Sequence, residues 1–167
     1  DVQGMYQLFI DRQKPVKDIK IEHYMFDKGD KHSLSSNFVS SILRDKNGIL
    51  WFGTEQGGLC RAIEEDGQRM KFISYSEEDG LSNNVVKSLL CDKSGNLWIA
   101  TNIGLNIYRN DSGSFHVYRT SDGLPFDDFW YASFMLNDGT LVFSKFEGFC
   151  YFNPDLLPKK EDLPQLH

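Results

Sequence analysis

VSSILRDKNGILWFGTEQGGLCR, from Val39 to Arg61, returns as VKSLLCDKSGNLWIATNIGLNIY, from Val86 to Tyr108. Trp51 recurs as Trp98 and Gly48 as Gly95. Leu59 recurs as Leu105, one step early, because the loop before it is one residue shorter. A weaker third copy, ASFMLNDGTLVFSKFEGFCYF from Ala132 to Phe152, sets Gly139 where Gly95 stood. A period of about 45 residues means one supersecondary unit stacked on itself.

Each copy divides into short strands. Val85–Leu90 is apolar and β-branched, and Asp92-Lys93-Ser94-Gly95 has the composition of a tight turn. Leu97–Thr101, Leu105–Tyr108 and Phe115–Tyr118 follow, joined by loops short enough for antiparallel hairpins. The first copy predicts strands over Phe38–Leu43, Leu50–Thr54, Leu59–Ile63 and Phe72–Tyr75. Two more are expected near Met5–Ile10 and Lys20–Phe26. No stretch holds a 3.6-residue apolar period, so almost no helix is expected. Four-stranded antiparallel units in series predict an all-β fold, a β-propeller. A β-sandwich could use the same strands, but it has no need to repeat tryptophan and turn glycines in step.

Two sets of repeated residues read as architecture. Trp51 and Trp98 lie in the second strand, where a large ring fills the wedge between sheets. Gly58, Gly104 and Gly148 open the third strand, at a turn expected to need positive φ. Asp45 and Asp92, each three residues before a glycine, are expected to accept backbone N–H bonds in a turn.

The pattern V-x-S-[IL]-x-x-D-x-x-G-x-L-W-[IF]-[GA]-T-x-x-G-L resembles the two-component regulator propeller repeat. The junctions Asp79-Gly80-Leu81-Ser82-Asn83-Asn84 and Asp122-Gly123-Leu124-Pro125-Phe126-Asp127 are similar to that family's inter-blade "DGL" phrase. In the third copy Val142 replaces the tryptophan. The ending Tyr151-Phe152-Asn153-Pro154-Asp155 resembles the terminal repeat that precedes a β-sandwich in these sensors. The resemblance implies the periplasmic sensor region of a hybrid two-component histidine kinase, of the kind abundant in Bacteroidetes. It further implies an oligosaccharide signal, a phosphorelay and control of polysaccharide-utilisation genes. None of the kinase chemistry would lie in these residues.

The start, Asp1-Val2-Gln3-Gly4-Met5-Tyr6, aligns with Glu55-Gln56-Gly57-Gly58-Leu59-Cys60, in the middle of a repeat. The expected organisation is therefore the outer strands of a truncated blade over 1–31, complete blades over 32–78 and 79–121, a last-repeat blade over 122–155, and a linker toward a sandwich over 156–167. About three blades cannot close a ring, which needs at least about four. Open edge strands then invite neighbouring blades of a parent chain or self-association.

The chain has 167 residues and a net charge of −6, with no basic patch to neutralise phosphates, which argues against nucleic acid. No apolar run approaches the ~18 residues of a membrane span, so no membrane contact is expected within this segment. Cys60, Cys91 and Cys150 show no C-x-x-C spacing and read as free thiols. His23, His32, His116 and His167 are scattered; no metal and no cofactor are expected.

Binding is the use the sequence favours over catalysis. On the face shared by the inter-blade loops and the second-to-third-strand loops, the copies stop agreeing. Asn83, Asn84, Asp127 and Asp128 come from one loop set, and Asn102, Lys145 and Glu147 from the other, with Asn37 and Glu55-Gln56 beside them. Trp130, Phe126, Phe129 and Phe146 lie nearby. Amides and carboxylates beside aromatic rings suit a carbohydrate, offering hydroxyl partners and flat faces for C–H surfaces. Phe129 and Phe146 are expected to pack where the tryptophan is missing, while Trp130 is open to either use. Two rival functions remain: a propeller lyase or glycosidase, for which Asp127-Asp128 would be the acid–base pair, and a pure protein-interaction propeller.

Overall fold

The computed structural model describes residues 4–10, 13, 15, 19–65 and 68–157. Among them, thirteen strands form four antiparallel sheets in which every strand pairs with its sequence neighbour. The first sheet is β1 (Met5–Phe9) and β2 (Lys20–Tyr24). The second is β3 (Val39–Arg44), β4 (Leu50–Thr54), β5 (Leu59–Ile63) and β6 (Lys71–Tyr75). The third is β7 (Val86–Cys91), β8 (Leu97–Thr101), β9 (Gly104–Arg109) and β10 (Ser114–Tyr118). The fourth is β11 (Ser133–Met135), β12 (Leu141–Lys145) and β13 (Gly148–Phe152). Among the described residues, helix is confined to the 3-10 turns Glu77–Asp79, Thr120–Asp122 and Pro154–Leu156. From residue 158 onward, the expected linker lies outside the described residues.

The repeated phrase has a compact physical meaning. Asp45 Oδ1 accepts the backbone N–H groups of Asn47 and Ile49, while its Oδ2 accepts the Trp51 indole N–H at 2.9 Å. Asp92 does the same work for Asn96 N and, again at 2.9 Å, for Trp98 Nε1. Both carboxylates are buried, so each holds the turn and also answers the one polar atom of a ring that must go inside. In the third copy the turn keeps its backbone bonds, Leu136 N to Thr140 O and Gly139 N to Leu136 O. There Leu136 stands in the aspartate's place and Val142 in the tryptophan's. Donor and acceptor have been lost together, and no buried orphan remains.

Each tryptophan points out of its own sheet toward the next. Trp51 packs among Leu81, Val86, Leu89, Leu97 and Tyr108, which belong to the third sheet and its junction. Trp98 packs among Phe129, Leu141, Phe143 and Cys150 of the fourth. Phe52 and Phe72 face the other way, onto Tyr24 and Met5 of the first sheet. The core is therefore a series of wedges between sheets. Blade contact is close: a Cβ on Gly53 would stand 2.4 Å from Ser41 Oγ and 2.5 Å from Val86 Cγ1, so glycine lets the strands and sheets close here.

The "DGL" junction decodes as readily. Asp79 Oδ2 accepts Ser76 N, Gly80 takes φ 102°, and Leu81 is buried as a plug in the wedge. Asp122, Gly123 (φ 101°) and Leu124 repeat the arrangement, with Arg119 N as donor.

One expectation needs correcting. Gly58 and Gly104 have φ of 74° and 107°, but Gly148 does not adopt positive φ. The cause lies across the strand. A Cβ on Gly58 or Gly104 would meet the carbonyl oxygen of Tyr75 or Tyr118, at the end of the fourth strand, at 2.2 and 2.7 Å. The last sheet has no fourth strand among the described residues, and nothing lies within 4 Å of the corresponding point on Gly148.

Candidate functional site

The inter-blade loops and the β4–β5, β8–β9 and β12–β13 turns meet at one end of the sheets. Gly58 N donates to Asn84 O, and Gly104 N donates to Asp127 O. Gly4 N donates to Asn37 O in the same way. The side chains of these three residues are committed as well. Asn37 Oδ1 accepts Phe26 N, Asn84 Oδ1 accepts Glu77 N, and Asp127 Oδ1 accepts Thr120 N at 2.7 Å while its Oδ2 takes the Thr120 hydroxyl. Asn83 is likewise engaged, accepting Val85 N and donating to Glu77 Oε1. Asn83, Asn84 and Asp127 thus latch the loops, and Asp127 is built as a turn acceptor rather than a proton-transfer group.

Other expected residues lie at the rim. Asp128 is exposed after that latch, and Asn102 is half-buried in the two-residue turn between Thr101 and Gly104. Lys145 and Glu147 flank Phe146 in the matching turn of the last sheet, with Lys145 Nζ 5.4 Å from the Phe126 ring centre. The packing expectation divides. Phe129 is fully buried in the wedge beside Phe126 and Phe143, whereas Phe146 is 76% exposed and fills nothing. The missing indole is not replaced by a ring.

What converges instead is a cluster drawn from three sheets. Tyr131 donates its hydroxyl hydrogen to Glu55 Oε1 of the β4–β5 loop, and Lys87 Nζ donates to the same hydroxyl at 2.8 Å. Lys87 also lies over the Tyr131 ring at 4.4 Å and the Trp130 ring at 6.0 Å. Trp130 meets Tyr131 and Phe146 edge-on, each with ring centres 5.4 Å apart. Trp130 and Tyr131 remain 41% and 40% exposed.

Sequence reading missed Lys87 and Tyr131. Lys87 belongs to the innermost strand of its sheet, where strict alternation misplaces it, and Tyr131 stands in the junction just before β11. The register of β7 slips between Val86 and Ser88, leaving Lys87 at a bulge that re-aims its side chain. β3 slips at the equivalent place, where the Ser40 hydroxyl donates to Val86 O at 2.6 Å. A bulge repeated in two copies, with serine in one and lysine in the other, was the available signal. The arrangement offers aromatic faces, an ammonium and a carboxylate within one exposed patch. Among the described residues no three His, Cys, Asp or Glu side chains gather as a metal site.

A family profile described as "Two component regulator propeller" matches residues 33–56 and 80–102, the copies that keep both aspartate and tryptophan. Among solved structures, the extracellular domain of the hybrid two component system BT3049 from B. thetaiotaomicron is 28% identical, with a TM-score of 0.63 over 72% of this chain and 16% of that one. The extracellular domain of BT4673 from the same organism is 21% identical, with a TM-score of 0.56 over 93% of this chain and 27% of that one. PorZ, a surface component of the type-IX secretion system of Porphyromonas gingivalis, is 16% identical, with a TM-score of 0.65 over 83% of this chain and 20% of that one. The last two likenesses concern the fold alone. No curated protein matches. The chain spans well under a third of the structures it resembles. Two stretches of it thus match the two-component regulator propeller profile, within an all-β propeller architecture similar to the extracellular domain of a hybrid two-component system.

Proposed function

We propose that this segment is the ligand-sensing part of an extracytoplasmic receptor in a two-component histidine kinase, and that its signal is an oligosaccharide bound over Trp130, Tyr131 and Phe146. The observation that carries the reading is the convergence of Glu55, Lys87 and Tyr131 from three successive sheets beside an exposed aromatic shelf. Flat rings accept the C–H faces of a sugar, while the ammonium and carboxylate supply a donor and an acceptor for hydroxyls. A ligand there touches three blades at once, so occupancy biases their relative packing, a change of the rigid-body kind that a receptor can transmit. The segment performs no reaction of its own in this scheme. Phosphotransfer and gene control belong to other parts of the parent protein.

The test is a thermal-shift screen of the chain against plant, host and microbial oligosaccharides, followed by calorimetry on any hit. One sugar should raise the midpoint by mass action. Trp130→Ala should weaken its affinity about tenfold or more, about 1.4 kcal/mol, because a stacking face is removed. Stabilisation by no sugar, or an unchanged affinity in Trp130→Ala, overturns the proposal. Release of shortened sugar during the titration would favour the hydrolase or lyase reading instead.

A further inference from the structure

A groove lies along the outer edge of the last sheet, lined by none of the shelf residues Trp130, Tyr131 and Phe146. It has a volume of about 580 Å³ and runs between β13 and the end of β10, lined by Trp98, Tyr118, Leu124, Phe149, Tyr151 and Phe152 among others. The other sheets show what fills this place. Their outermost strands carry one pattern: Ile21-x-x-Tyr24, Phe72-x-x-Tyr75 and Phe115-x-x-Tyr118. The register is constant as well. The tyrosine pairs with the residue after the strand-opening glycine, as in Met5↔Tyr24, Leu59↔Tyr75 and Leu105↔Tyr118. The apolar residue pairs three positions further on, as in Leu8↔Ile21, Ala62↔Phe72 and Tyr108↔Phe115.

The packing repeats too. Phe72 sits edge-on to Tyr24 of the preceding sheet at 5.7 Å, and Phe115 meets Tyr75 at the same distance. Tyr118 is next in that series. It stacks on Trp98 at 5.8 Å, Phe152 meets the same indole at 5.2 Å, and the place of the next phenylalanine is the groove itself.

We propose that β13 is a docking edge for an added fourth strand, an extended peptide segment of aromatic-x-x-Tyr pattern that seats its aromatic ring opposite Phe152 and its tyrosine opposite Phe149. Main-chain bonds to an exposed edge would give affinity, and the groove would read the aromatic side chain. The state of Gly148 fits this seat. A tyrosine carbonyl arriving as it does at Gly58 and Gly104 would drive Gly148 into the left-handed region that only glycine enters freely. This inference is independent of the sugar reading.

The probe is a synthetic peptide of residues 111–120, the chain's own outermost strand of the third sheet, labelled with fluorescein and titrated into the 167-residue chain. Saturable anisotropy is expected. At about ten times the dissociation constant, amide exchange over Gly148–Phe152 should slow about tenfold by mass action, with no change over Gly104–Arg109. Peptides with Phe115→Ser or Tyr118→Ser should bind at least about tenfold more weakly, about 1.4 kcal/mol. On the protein side, Gly148→Ala should keep the thermal midpoint and lose the peptide. The proposal fails if binding does not saturate, if the serine peptides bind equally well, or if protection falls on another strand. It also fails if Gly148–Phe152 is already protected without peptide in a concentration-dependent way, because a second copy would then be the occupant.

Discussion

The pairing of aspartate with tryptophan makes a quantitative prediction, which the third repeat already acts out. Asp92→Leu and Trp98→Val, singly and together, install in the third sheet the residues that the fourth carries as Leu136 and Val142. Asp92→Leu strands the buried Trp98 indole N–H and the half-buried Asn96 N–H, for about 2–4 kcal/mol at about 1–3 kcal/mol per buried donor left unpaired. Trp98→Val empties much of the wedge formed with Phe129, Leu141 and Phe143, for about 3–5 kcal/mol. Each single change also breaks the indole–carboxylate bond, so a simple sum counts it twice. The double variant should therefore be more stable than additivity predicts by about 1–2 kcal/mol. Urea unfolding followed by far-UV circular dichroism is the suitable assay, because one fluorescent indole is being removed. With a slope of about 1–3 kcal/mol per molar urea, that coupling appears as a midpoint difference on the order of 0.5–1 M. Additivity within about 0.5 kcal/mol would refute the account of why the two residues vanish together.

Other expectations follow from the same contacts. Gly104→Ala should destabilise the chain by about 1–3 kcal/mol in the same unfolding assay, since it forces a Cβ toward the Tyr118 carbonyl at positive φ. Gly148→Ala should be neutral or slightly stabilising. Burial holds the Tyr108 and Tyr118 phenols above the ordinary value of 10.0. A raised native value favours the neutral form, so this stability is fully present below pH 10 and is lost as pH climbs through the higher native values. Chemical denaturation should show a plateau ending near pH 10, and a decline that starts several units lower would contradict the assignment. Burial also raises the Cys91 and Cys150 thiols, so at pH 8 iodoacetamide should alkylate them more slowly than free cysteine, and urea should remove the difference.

Legibility in the sequence followed the division between local and long-range geometry. The turn around Asp92, the strand after it and the glycine that opens the next are neighbours along the chain, and their spacing specifies them without reference to the rest of the molecule. Trp51 and Trp98 were readable as wedge residues because a repeated unit must bury a repeated ring. Gly148 misled because its letter matches Gly58 and Gly104, while the force behind positive φ comes from a tyrosine carbonyl on a strand that the last sheet lacks. Asn84 and Asp127 looked like ligand groups because they differ. Yet with Asn37 they occupy one slot in three junctions, all short polar acceptors, which is the mark of a backbone latch. Lys87 was hidden by a bulge, whose effect on side-chain direction depends on the pairing register and not on residue type, and Tyr131 by its place in a junction outside any strand.

The forward tilt of Trp51 and Trp98 bears on how such a chain can grow. The third sheet offers a large ring on one side and accepts one on the other, so its two faces are unlike and complementary, as in a head-to-tail assembly. A duplicated repeat inserted between two others would find both seats ready, with no compensating change in its neighbours. Gene duplication could thus lengthen the array one blade at a time, at any junction, without a misfit at the boundary. No single interface records how many units there are. At the fourth sheet, where the aspartate and the ring have both been dropped, a following blade would be offered no such ring.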